Sequence, residues 1–82
     1  MSNPLRLLLV EDSVDDAELL LSELVNYGFA PQWDRVETEA DYVTKLDAAP
    51  ELILADYNLP HFSGLRALEI LNERQLDIPF IV

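Results

Sequence analysis

The sequence predicts an open α/β fold in which a parallel sheet is wound with helical crossovers. Three observations predict it. Residues 5–10, 52–55 and 79–82 are short apolar runs, too brief for helices, and the first two read as strands buried on both faces. The segments between them carry apolar residues at helical spacing instead. The connections are short and rich in Asn, Pro, Ser and Gly, so strand and helix alternate without room for a long excursion.

Each element follows from its own residues. Leu5, Leu7, Leu8, Leu9 and Val10 read as a central strand buried on both faces. Ser13 is placed to cap the next helix with Asp16 three positions on, and Asp15, Asp16 and Glu18 crowd a first turn where the helix dipole favours anions. Those three acids are read as solvated helix-start charges. Val14, Ala17, Leu21, Leu24 and Val25 form one stripe that stops before Gly28, a residue suited to the left-handed cap, which predicts a helix over 14–27. Residues 31–36 mix Trp33 and Val36 with Pro31, Asp34 and Arg35, a composition for an edge strand. Thr38 and Asp41 repeat the capping pattern, Ala40, Val43 and Leu46 continue it helically, and Pro50 ends the run. Leu52, Ile53, Leu54 and Ala55 make a second buried strand, which ends at Asp56. Asn58, Pro60, Ser63 and Gly64 are turn formers. Leu65, Leu68 and Leu71 mark a third helix of about ten residues, and residues 79–82 open a last strand.

Composition narrows the function. Eighty-two residues, half of them hydrophobic, suffice for one small domain, with one core and a thin stability margin. No cysteine is present, which removes disulfide scaffolds and thiolate metal sites and points to a reducing cytoplasm. The longest apolar stretch, residues 7–10, is far short of a membrane span, and residues 1–4 carry no basic leader. Sixteen acids against five bases give a formal net charge of -11, which repels phosphate backbones. Neither a nucleic acid nor a membrane is an expected partner; cations and basic surfaces are.

The acids also have an order. Open α/β sheets bind ligands beyond the carboxyl ends of their strands, where the strand order reverses. Glu11 and Asp12 follow the first strand and Asp56 ends the third. If those strands are neighbours, as in the flavodoxin-like order 2-1-3-4, the three carboxylates meet in one crevice. Like charges that close are tolerated mainly when a cation shares them. Mg2+ is the expected occupant, since it takes hard oxygen donors, and a chain with one histidine and no cysteine is poorly equipped for zinc or copper.

Leu9-Val10-Glu11-Asp12-Ser13, followed after a helix, a strand and a helix by Leu54-Ala55-Asp56-Tyr57-Asn58-Leu59-Pro60 with Ser63-Gly64, resembles the receiver domain of two-component response regulators. The resemblance runs the length of the chain. It implies that Asp56 accepts a phosphoryl group and that Asp12 ligates Mg2+ directly. It further implies that Glu11 holds the ion largely through water, that the backbone carbonyl of Asn58 adds a ligand, and that Pro60 and Gly64 shape the loop after the third strand. The phosphodonor it implies is a histidine kinase or a histidine phosphotransfer protein. His61, the sole histidine, reads as a solvated loop residue.

The same resemblance sets a further expectation. A complete receiver continues with a Ser or Thr at the end of the fourth strand, a helix, a fifth strand ending in Lys, and a last helix, so residues 1–82 correspond to its N-terminal portion. Lys45, in the second helix, does not replace that Lys. Apolar surface left uncovered beside the first helix and the fourth strand makes a homo-oligomer the expected state. Two other chemistries fit less well. A flavin-binding flavodoxin needs a hydroxyl- and amide-rich phosphate loop where Glu11 and Asp12 stand, and a phosphatase of the haloacid dehalogenase type carries its paired Asp motif after the first strand. The alternative that keeps the fold is a phosphorylation-independent interaction or assembly module.

Overall fold

The computed structural model describes residues 3–56, 59 and 62–82. Its elements are β1 (Asn3–Val10), α1 (Val14–Asn26), β2 (Phe29–Val36), α2 (Glu39–Leu46), β3 (Leu52–Ala55), α3 (Gly64–Glu73) and β4 (Phe80–Ile81). The strands form one all-parallel sheet in the order β2-β1-β3-β4. This is the expected α/β architecture and strand order. The crossover between β1 and β2 is α1, and β1 then lies beside β3 as well, which creates the reversal of strand order at its end.

Helix starts follow the hydroxyl caps. Ser13, Thr38 and Ser63 each have extended backbone, and their side-chain oxygens accept the N–H of Asp16, Asp41 and Arg66 respectively. Gly28 follows α1 with φ +92°, a left-handed conformation that strains any residue with a Cβ. β2 is longer than the sequence predicts. It begins at Phe29 and passes through Pro31, which is compatible with an edge strand because only one side of the strand is paired.

The two sheet faces are covered unequally. Leu8, Val10, Ile53 and Ala55 point to the face covered by α2 and α3, where they pack with Tyr42, Leu46, Ala67, Ile70 and Leu71. Leu7 and Leu9 point to the other face and pack on Ala17, Leu21 and Leu24 of α1, with Leu52 and Leu54 only half-buried beside them. The buried helical faces also differ from the expected stripes. Val14 and Val25 of α1 and Leu65 of α3 are exposed, while Tyr42 and Ile70, outside the predicted stripes, are buried. Among the described residues, no helix is long and apolar enough to cross a membrane.

Candidate functional site

The ends of β1 and β3 are held level by the backbone. The Asp56 N–H donates to the Val10 carbonyl at 2.8 Å, and the Glu11 N–H donates to the Val36 carbonyl at 3.1 Å. The ladders therefore run one residue past β3 and one past β1. That extra residue is in each case an acid. Asp12 follows on the turn into α1, and the carboxylate oxygens of Glu11, Asp12 and Asp56 lie within 4.8 Å of one another. Glu11 and Asp56 are half-buried and Asp12 is exposed. The three residues that the sequence singles out thus share one crevice.

Glu11 is the most constrained of them. Its Oε1 accepts the Ser13 N–H at 3.0 Å, and its carbonyl accepts a hydrogen bond from Arg35 Nη1, also at 3.0 Å. Burial pushes the Glu11 carboxyl above the usual glutamate range, and the hydrogen bond with Asp12 and the charges of Asp56 and Asp16 push the same way; the Ser13 N–H opposes them. The crevice therefore disfavours its own full negative charge. Three hard oxygen donors at this spacing are a donor set that fits Mg2+.

The surroundings divide the other expected residues. Ser13 caps α1, while Asp15, Asp16 and Glu18 are exposed near its start, as expected of helix-start charges. Gly64 is the first residue of α3 and is buried. Lys45 stands on α2 with its Nζ 3.5 Å from Asp34. Asn58, Pro60 and His61 lie outside the described residues.

Sequence reading missed three residues that hold the site in place. Leu59 and Phe62 are buried in the core under α2 and α3. The Phe62 ring packs against Tyr42 with centroids 5.2 Å apart, and Tyr42 in turn donates its hydroxyl to the Ala67 carbonyl of α3 at 2.8 Å. Arg35 is the third. An apolar residue amid turn formers is a signal that can be read for Leu59 and Phe62, whereas nothing local to Arg35 announces a partner just past the end of β1.

No family model matches the chain, and no curated protein matches its sequence.

Proposed function

We propose that this protein is a receiver-type phosphoacceptor module of two-component signalling, with Asp56 as the acceptor and the Glu11, Asp12 and Asp56 crevice as its Mg2+ site. The observation that carries this reading is the convergence of three carboxylates from two adjacent strand ends within 4.8 Å. The resemblance of residues 9–13 and 54–64 to receiver motifs supports it. The donor is a phosphohistidine on a histidine kinase or a histidine phosphotransfer protein, and the setting is the cytoplasm.

The chemistry is a single displacement. An Asp56 carboxylate oxygen forms a bond to phosphorus as the bond from phosphorus to the donor imidazole nitrogen breaks, leaving an acyl phosphate on Asp56 and an imidazole that regains a proton from solvent. Such transfers depend on alignment and on neutralising charge. Mg2+, when bound, would supply that neutralisation. Glu11 and Asp12 would hold the ion, and the backbone bond from Asp56 to Val10 fixes where the acceptor stands. The Asn58 carbonyl is proposed as a further ligand, with Pro60 and Gly64 shaping the loop that presents it.

Incubation with a small-molecule phosphodonor and Mg2+ tests this. A hydroxylamine-labile label should appear on the wild type and vanish in Asp56→Asn with the fold intact. Persistent labelling of that variant would remove Asp56 from the role. Wild type that stays unmodified under conditions where Mg2+ binds would favour the phosphorylation-independent interaction module. One observation favours association in either case: Leu20, Ile81 and Val82 are exposed around the half-buried Leu54, and a second copy of the chain is proposed to cover them.

A further inference from the structure

Glu11 is pinned to the end of β2 through both of its backbone polar groups. Its N–H donates to Val36, the last residue of β2, and its carbonyl accepts from Arg35 Nη1, one residue earlier in that strand. The same Nη1 lies 2.9 Å from Glu37 Oε1, and the Arg35 side chain is only 26% exposed despite belonging to an edge strand. Nη1 carries two N–H bonds, and the planar guanidinium fixes their directions as a freely rotating ammonium does not. β2 supplies no carboxylate to the crevice, yet it supplies two of the anchors that set where Glu11 sits.

We propose that Arg35 is a positioning residue for the acidic crevice, holding the Glu11 carbonyl so that the turn through Glu11 and Asp12 stands at the distance from Asp56 that a hard divalent cation requires. The proposal rests on the reading of this crevice as a cation site. Its distinguishing feature is the sign of the effect. As a charge alone, a guanidinium bonded to the Glu11 carbonyl weakens cation binding at the crevice, and its removal would tighten binding. As a tether its removal loosens the donor set and weakens binding, as loss of the groups behind metal ligands generally does. The two roles move the dissociation constant in opposite directions.

Titration of the chain with Mn2+ as the probe separates them. Lys45→Met serves as the charge control, because Lys45 pairs with Asp34 and has no bond to the β1–α1 turn. Its affinity should be unchanged or slightly tighter than wild type. Arg35→Met should bind about 10-fold more weakly, with Arg35→Lys between it and wild type, and Asp12→Asn should lose binding. Thermal melts of the metal-free variants report folding independently of affinity, so a merely structural role would lower the melting temperature without moving the dissociation constant. Unchanged or tighter binding by folded Arg35→Met overturns the proposal. Should that variant not fold, Arg35→Lys decides: it keeps the charge, so wild-type affinity there overturns positioning and weaker affinity supports it. A wild type that does not bind Mn2+ defeats the cation-site reading itself, and the role of Arg35 falls with it.

Discussion

Asp12 is the exposed member of the acidic trio, so removing its carboxylate takes away charge without opening a cavity. In the metal-free protein Asp12→Ala should melt slightly higher than wild type, because Glu11 and Asp56 lose a like-charged neighbour. With Mg2+ the order should reverse. A cation bound only to the folded state at about 100 times its Kd adds ~2.7 kcal/mol of stability, which the variant should lack. Melts with and without Mg2+ at equal ionic strength check this, and an undiminished shift in Asp12→Ala would place the ion elsewhere. Tyr42 gives a pH prediction on the other side of the sheet. It is fully buried, and burial pushes its hydroxyl from 10.0 up to about 12. The folded state therefore keeps the proton that the unfolded state gives up above pH 10.0. The contribution, on the order of 2 kcal/mol, is complete below that pH and declines as pH rises toward about 12. Tyr42→Phe should flatten this alkaline loss while costing about 1 kcal/mol at neutral pH for the missing bond to Ala67. Equal alkaline melting curves for the two proteins would show that another group controls the loss. The three acids were legible in the sequence because they stand at strand ends, Glu11 and Asp56 directly after β1 and β3 and Asp12 one residue later. Arg35 and Tyr42 were not, since their partners Glu11 and Ala67 are 24 and 25 residues away.

The elements were legible where side chains speak to their own backbone. Hydroxyl caps act over three residues, so Ser13 and Thr38 mark the starts of α1 and α2 in the sequence alone, and both are seen accepting the expected N–H at 3.2 Å, whereas Ser63, which reads as a turn former, accepts the Arg66 N–H at 3.1 Å at the start of α3. Thr38→Ala should cost about 1 kcal/mol of stability by removing one such bond. Because α2 contributes nothing to the crevice, Mg2+ affinity should not change. Denaturant unfolding with a parallel metal titration tests both halves, and a weakened affinity would mean that α2 and the crevice are coupled. What a helix buries was less legible than where it starts. Leu65 has the spacing of a core residue, yet α3 turns its Gly64, Ala67, Ile70 and Leu71 side inward instead. Small residues let α3 sit close to the sheet, and a hydropathy pattern weights them too little to show this. The start of β2 was missed for a different reason. Pro31 reads as a boundary, but an edge strand has one unpaired side where a residue without an N–H is tolerated.

At the scale of the molecule, the mixed run of β2 marked an edge and the apolar runs of β1 and β3 marked central strands, but β4 is as apolar as either and lies at the other edge, so hydropathy alone did not give the order β2-β1-β3-β4 and the flavodoxin-like pattern did. The uneven cover of the two faces follows from that order. α2 and α3 lie on one face, α1 alone lies on the other, and between α1 and β4 a shallow depression remains, lined by Leu9, Leu20, Leu54, Ile81 and Val82 and bounded by Glu11 and Asp56. Leu20 is 38% exposed, Ile81 55% and Val82 64%. Burying such surface is favourable at roughly 25 cal/mol per Å², so a second copy applied here gains stability from contact. Charge opposes it. Each copy carries -11, and α1 bears acids and no base. Apolar attraction at short range against repulsion at long range makes the association salt-dependent, since at ~0.01 M salt charges interact over about 30 Å and at ~1 M over about 3 Å. Sedimentation should therefore show monomers at low salt and a growing dimer fraction as salt rises. Mg2+ at millimolar concentration should promote dimers beyond its ionic strength, because it would neutralise the acids that border the depression. Leu20→Glu should remain monomeric throughout. A wild type that stays monomeric across the whole salt range would show that the open face of α1 is not covered by a second copy of this chain.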